Sequence, residues 1–132
     1  MADTMQFDLV SPERRLASLE AQQVQLPGAD GQMTAMPNHA PVITSLRPGL
    51  VTVTGKDGQA TSYAVTGGFA EISPEGATVL AERAYQATAE NRAEIETYLA
   101  EARAAAEKAA PEHKDAAELV VADLAQLMDD MV

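Results

Sequence analysis

The amino-acid sequence predicts an all-β N-terminal part, an antiparallel sandwich or barrel, followed by a C-terminal antiparallel hairpin of two α-helices. Three observations carry this. Short apolar runs alternate with Pro- and Gly-rich turns over the first two thirds of the chain, with no helical periodicity between them. From Thr88 onward there is no glycine and only one proline, Pro111, while alanine becomes abundant. The charge shifts as well: residues 1–84 hold nine acids and five bases, and residues 85–132 hold eleven acids and four bases. The expected units are therefore residues 1–85, built of strands, and residues 86–132, built of helices.

Met5 to Val10 sets Phe7 and Leu9 against Gln6 and Asp8, the period of a half-buried strand. Arg15–Glu20 and Ala21–Leu26 read as two further strands, with Leu16, Val24 and Leu26 turned inward. Pro27-Gly28-Ala29-Asp30-Gly31 is a turn, because proline fixes φ while glycine tolerates positive φ. Gln32–Met36 is a short strand. Pro37 to Pro41 is a stiff loop, since a residue before proline is pushed out of the α region. Val42–Leu46 is extended, and Arg47-Pro48-Gly49 turns the chain.

Leu50 to Thr54 is rich in β-branched residues and is the clearest strand. Gly55-Lys56-Asp57-Gly58 joins it to Gln59–Val65 as a hairpin with glycine at the left-handed position. Gly67-Gly68 turns the chain again. Phe69–Ile72 and Thr78–Leu80 flank the turn at Pro74-Glu75-Gly76.

Thr88 is the expected cap of a first helix of about 20 residues, with Glu90 near its positive end. Ile95, Leu99, Ala102 and Ala106 form its apolar stripe. Ala110 to Lys114 is the expected connection, because proline is tolerated only in a helix's first turn. Ala117, Val120, Val121, Leu124, Leu127, Met128 and Met131 form the apolar face of the second helix. The two stripes are expected to bury each other. Alanine dominates one of them, so at about 25 cal/mol per Å² the stabilisation is modest. A hairpin held so lightly is expected to be able to detach.

The totals exclude several functions. The 132 residues carry a net charge of −11, which argues against binding nucleic acid or docking directly on anionic lipid. No cysteine is present, so there is no thiol nucleophile, thiolate metal site or disulfide. The N-terminus lacks the basic and apolar regions of a secretory signal, and no apolar run approaches a membrane span. The chain is expected in the cytoplasm, meeting a membrane only through a partner.

His39 invites a catalytic reading, but no Ser, Cys or carboxylate stands at a spacing that would make a dyad with it. Gly55-Lys56-Asp57 lacks the first glycine and the Ser/Thr of a P-loop. The carboxylates of the tail are interspersed with Arg92, Arg103, Lys108 and Lys114, as on a solvated helix face. The residues describe an interaction or regulatory protein with no metal, cofactor or active site of its own.

Four ordered segments then carry a resemblance. Phe7-Asp8-Leu9-Val10-Ser11-Pro12-Glu13 opens the chain. Met36-Pro37-Asn38-His39-Ala40-Pro41, with Leu46-Arg47-Pro48-Gly49, forms the centre. Gly67-Gly68-Phe69-Ala70-Glu71-Ile72 and Thr78-Val79-Leu80-Ala81 follow in order. Together they resemble the epsilon subunit family of bacterial F-type ATP synthases, equivalent to the mitochondrial delta subunit.

The resemblance implies a β-sandwich of about ten strands and a two-helix C-terminal domain. It implies a non-catalytic rotor subunit of the central stalk, not a homo-oligomer. The partners implied are the gamma subunit, the loops of the c-ring, and the alpha/beta head within reach of the hairpin. The complex would sit at the cytoplasmic face of the bacterial inner membrane and couple proton flow to ATP synthesis. The loop from Gly31 to Pro41 would face the c-ring, with Gln32, Met33 and His39 as contacts. Many relatives carry Glu where Gln32 stands, so a neutral hydrogen bond replaces a charged one here and is weaker.

In some relatives the hairpin binds ATP through the pattern Ile/Leu-Asp-x-x-Arg-Ala. Here Thr88-Ala89-Glu90-Asn91-Arg92-Ala93 keeps only Arg92 and Ala93, so ATP binding is expected to be weak or absent. A tail with four bases against eleven acids is likewise expected to inhibit hydrolysis weakly. Two other readings remain on the residues alone. One is a free-standing adaptor or small-ligand-binding β module with a helical interaction tail. The other is a hydrolase that uses His39.

Overall fold

The computed structural model describes residues 4–131. Nine strands among these residues come first: β1 (Met5–Val10), β2 (Arg15–Gly28), β3 (Gly31–Ala35), β4 (Val42–Leu46), β5 (Gly49–Gly55), β6 (Ala60–Val65), β7 (Gly68–Ile72), β8 (Gly76–Ala81) and β9 (Ala84–Gln86). Two helices follow, α1 (Arg92–Lys108) and α2 (Pro111–Asp130).

The strands form two layers of a sandwich. One layer runs β1-β8-β7-β4, and the other runs β2-β5-β6-β9 with β3 on the far side of β2. All pairings are antiparallel except β1 with β8. The long β2 joins the layers: Arg15–Ala21 pairs with β1, and Val24 lies between Ala35 of β3 and Val53 of β5.

Sequence alternation places the core. Phe7, Leu9, Val24, Leu26, Val51, Val53, Ile72 and Val79 are all buried between the layers. Along β2 the buried residues are Ala17 and Ala21, then Val24, Leu26 and Gly28. The inward positions thus change from odd to even. The register shift between Ala21 and Gln23 against β5 makes this switch, because Gln22 is an extra residue at a bulge. Its side chain turns outward, and its Nε2 donates to the Lys56 carbonyl oxygen at 3.1 Å. The two strands expected at Arg15–Glu20 and Ala21–Leu26 are therefore one strand with a phase change. Leu16 packs only partly against the core.

The expected turns stand, with Ala29-Asp30 as the short loop between β2 and β3. Gly58 has φ +85° and its amide donates to the Gly55 carbonyl oxygen at 2.9 Å, closing the β5–β6 hairpin. Gly68 has φ +139°, and a Cβ there would lie 2.1 Å from the Leu80 carbonyl oxygen. Glycine is needed at 68 for both conformation and space.

The helices differ from expectation at their starts. Thr88 lies in a turn, its carbonyl oxygen accepting from the Asn91 amide, and Asn91 is the residue before α1. The Asn91 side chain is engaged elsewhere, donating to the Gln86 carbonyl oxygen at 2.9 Å, so it ties the turn to β9 instead of capping the helix. Pro111 is the first residue of α2, where a missing amide proton costs nothing. The connection therefore shrinks to Ala109 and Ala110.

Gly68→Ala should lower the unfolding free energy by about 2–3 kcal/mol in a urea titration. Gly58→Ala, where a Cβ meets nothing within 4 Å, should cost only about 1 kcal/mol.

Candidate functional site

Two cross-strand apolar rows lie on the outer faces of the sandwich, one on each layer. On the first, register places Leu50 of β5 beside Ala64 of β6, and Ala64 beside Tyr85 of β9. These residues alternate with the inward Val51 and Val65, so they face away from the core.

The helices cover this row. Ile95 and Leu99 of α1 and Leu124, Leu127 and Met131 at the end of α2 are buried with Ala64, against Leu50, Tyr85 and Ala87. The expected stripes are thus largely the ones used, but they close on the sandwich as well as on each other. Val120, expected inward, is 39% exposed. Its neighbour Val121 packs against the buried cluster in its place.

Polar contacts fix the helices in place. Arg47, after β4, makes two hydrogen bonds to Asp123 of α2, at 3.0 and 2.6 Å. The hydrogen bond and then the charge of Asp123 raise the Arg47 pKa further above its ordinary value. Arg83 places its guanidinium carbon 5.2 Å from the centroid of the Tyr98 ring on α1, a cation–π distance. Arg92 Nε donates to the Met128 carbonyl oxygen at 3.3 Å, joining the start of α1 to the end of α2. The last turn of α2 has no base of its own. Arg92 supplies positive charge where that helix dipole ends.

The second row crosses the other layer. Ser45 of β4 pairs with Phe69 of β7, Phe69 with Leu80 of β8, and Leu80 with Val10 of β1. Phe69 and Leu80 are 56% and 54% exposed. Nothing among the described residues covers them. With Val10, Ser11, Pro12, Gly68 and Ala81 they line a shallow apolar groove of about 460 Å³. Ile43, two residues before Ser45, extends the same face at 73% exposure. Contiguous apolar surface of this kind marks an adhesive face.

The residues expected to touch a c-ring are spread along one segment. Gln32 is exposed and lines a groove between the sandwich and α2, together with Arg47 and Asp123. Met33, next in β3, packs partly against the sandwich core. His39 lies past the other end of β3, in the loop that leads to β4. That loop is held by the Asn38 amide donating to the Pro74 carbonyl oxygen at 3.0 Å, with Asn38 at φ +69°. The structure does not gather the three on one face of β3.

His39 Nδ1 lies 2.6 Å from the Ala40 carbonyl oxygen, so Nδ1 carries the proton and donates. No described hydroxyl or carboxylate hydrogen-bonds the ring, and the geometry of a dyad is not formed. Among the described residues no group of three or more His, Cys, Asp or Glu could hold a metal ion. No helix among them is long and apolar enough to cross a membrane.

The family model described as ATP synthase, Delta/Epsilon chain, beta-sandwich domain matches residues 4–87. The chain belongs to the ATP synthase delta/epsilon family. The resemblance carried by the four sequence segments is thereby shown.

Similarity to individual members extends through the helices. The chain is 54% identical over 131 residues to the ATP synthase epsilon chain of Paracoccus denitrificans, covering 99% of this chain and 88% of that one. It is 58% identical over 130 residues to the epsilon chain of Rhodobacter capsulatus, covering 96% of each. Its fold matches a chain in the cryo-EM structure of the Euglena gracilis mitochondrial ATP synthase, with a TM-score of 0.77 at 17% identity, over 100% of this chain and 84% of that one.

Neither outer row was found from the sequence. The sequence predicts a strand at Phe69, but its pairing with Leu80, and Leu80's with Val10, depends on register across three strands. The exposed aromatic beside Gly67-Gly68 was the available signal.

Leu124→Ala and Ile95→Ala should each remove about 2–4 kcal/mol from the packing of the helices. Amide exchange should then speed up across α1 and α2 while β1, β7 and β8 stay protected.

Proposed function

We propose that this chain is the non-catalytic rotor subunit of the central stalk of an F-type ATP synthase. It links gamma to the c-ring, so that rotation driven by proton flow reaches the catalytic head. The observation that carries the reading is similarity to epsilon chains at more than half identity, over nearly the whole chain and through both helices. The complex is membrane-associated, and we place this subunit at the cytoplasmic face of a bacterial inner membrane, held there by its partners.

Transmitting torque requires a body that does not deform and surfaces that adhere. The sandwich supplies the first through a close-packed core continuous between its layers. The open row of Val10, Leu80 and Phe69, extended by Ile43, is the surface we assign to gamma. Its apolar centre carries two large side chains, one of them aromatic, as an adhesive patch requires.

The c-ring contact is assigned to the segment from Gly31 to Pro41, with Gln32, Met33 and His39 as its contacts. Gln32 presents a neutral amide and His39 a partly exposed ring. Met33 contributes chiefly by anchoring β3 to the core. An uncharged Gln32 can donate or accept a hydrogen bond but cannot form an ion pair.

The domain division at residue 85 is retained as a proposal. Strand β9 ends at Gln86 and α1 begins at Arg92, so the hinge lies within the turn from Ala87 to Asn91.

Phe69→Asp and Leu80→Asp should each weaken binding to a gamma-containing ATPase head by at least about 10-fold, measured by sedimentation with the fold checked by circular dichroism. Unchanged binding by both would remove gamma from this face. ATP should show no micromolar affinity in calorimetry with the isolated chain. Arg92, the charged residue kept from the nucleotide pattern, already donates to the Met128 carbonyl oxygen at the end of α2. Micromolar binding would overturn the expectation of weak or absent ATP binding.

A further inference from the structure

At one edge of the sandwich the space between its layers opens onto a polar cleft of about 270 Å³, lined by Arg14, Arg15, Leu16, Tyr63, Gln86 and Asn91. Tyr63 of β6 pairs with the inward Val51 of β5, and Gln86 of β9 pairs with Tyr63, so both lie on the inner face of their layer. Leu16 and Tyr63 pack partly against the core. The β1–β2 turn brings the two arginines to the same opening. Its backbone is fixed: Ser11 and Arg14 exchange amide-to-carbonyl hydrogen bonds at 2.9 and 3.2 Å, and Ser11 Oγ donates to the Arg14 carbonyl oxygen at 3.3 Å. On the other side, Asn91 Nδ2 donates to the Gln86 carbonyl oxygen at 2.9 Å. The walls are thus held in place by the chain's own hydrogen bonds.

Charge sets this cleft apart. The chain has twenty acids against nine bases, five of the bases in residues 1–84. Of those five, Arg47 pairs with Asp123, Lys56 pairs with Glu20, and Arg83 lies over Tyr98. Among the described residues Arg14 and Arg15 form no ion pair, although acids are in excess. Glu13, beside them in sequence, is exposed and does not line the cleft, and no other carboxylate does. The lining is therefore rich in donors: two guanidinium groups, the Tyr63 hydroxyl and the Gln86 amide. Burial raises the Tyr63 pKa, which keeps its O–H in place as a donor.

We propose that this cleft binds a phosphate-sized oxyanion, with Arg14 and Arg15 as its charged clamp and Tyr63 and Gln86 as its neutral donors. Arginine suits a phosphate because its planar fork presents two parallel N–H groups to two oxygens. A tetrahedral anion offers further oxygens to the hydroxyl and the amide, which a carboxylate does not. Two adjacent guanidinium groups also repel each other, and an anion held between them offsets that cost. Bound there, the anion ties the β1–β2 turn to β6 and β9 across the open edge between the layers. The site uses only residues of the sandwich and holds whether or not the rotor reading does.

Inorganic phosphate is the probe, titrated into the full chain labelled with nitrogen-15, with chloride holding the ionic strength constant. Saturable amide shifts are expected at Arg14, Arg15, Tyr63 and Gln86, with a dissociation constant on the order of 1 mM. At ten times that concentration, phosphate should raise the folded-to-unfolded ratio by about 10-fold over chloride in a urea titration. Arg14→Gln combined with Arg15→Gln should weaken binding by at least about 10-fold and abolish that stabilisation. Both positions are exposed, and unchanged shifts at the buried Val51 and Val79 report that the double variant is folded. Tyr63→Phe should weaken binding by about 3-fold. Acetate should bind at least about 10-fold more weakly than phosphate.

Shifts that stay linear in phosphate would overturn the site. So would shifts confined to the two arginines, since the cleft would then take no part. Equal affinity in the double variant or in Tyr63→Phe would place the anion elsewhere and overturn it as well. Acetate binding as tightly as phosphate would overturn the fit to a tetrahedral anion.

Discussion

The structure depends on how a two-layer sandwich disposes of the apolar surface left on its outsides. A small sandwich buries one face of each layer, and the other face is ordinarily polar. Here each outer face carries an apolar row set by register. Leu50, Ala64 and Tyr85 align across β5, β6 and β9, and Phe69, Leu80 and Val10 align across β7, β8 and β1. The chain's own helices cover the first row. The second stays open and needs a partner. Covering one row in cis and leaving the other for a neighbour fits a subunit that works only inside a larger assembly.

The two rows differ in what holds their cover. Phe69 and Leu80 offer large side chains, with Glu82 the one charged residue lining their groove. The hairpin seam combines buried large side chains, Ile95, Leu124, Leu127 and Met131, with basic residues at its margins: Arg47 reaching Asp123 of α2, Arg83 against Tyr98 of α1, and Arg92 across the hairpin. With nine bases in the whole chain, placing three of them at these contacts concentrates positive charge where an acidic tail must be held. Hydrophobic contact supplies most of the attraction, and these bases counter the repulsion between two acidic parts.

Much of the β architecture was legible in the sequence because a half-buried strand writes its period directly. Phe7 and Leu9, or Val51 and Val53, identify their strands without any tertiary knowledge. The central bulge was not legible. Gln22 shifts the inward positions of β2 from odd to even, so one long strand reads as two. Strand β9 has three residues, too few to show a period. Thr88 read as a helix cap by residue type, but β9 and the Asn91 side chain hold that segment as a turn. The candidate faces were legible only in outline. The segments carrying the family resemblance include Phe69, Leu80 and Arg47, but their roles come from partners remote in sequence. Arg47 meets Asp123 across 76 positions, and no local pattern announces such a pair.

Amide hydrogen exchange on the chain, free and bound to a gamma-containing ATPase head, tests the central claim most directly. The account predicts that binding slows exchange in β7, β8 and β1, around Phe69, Leu80 and Val10, and leaves the helix-covered face of β5, β6 and β9 unchanged. Protection confined to α1, α2 or the Leu50–Tyr85 row would contradict it, and would mean that the partner replaces the hairpin instead of filling the open face.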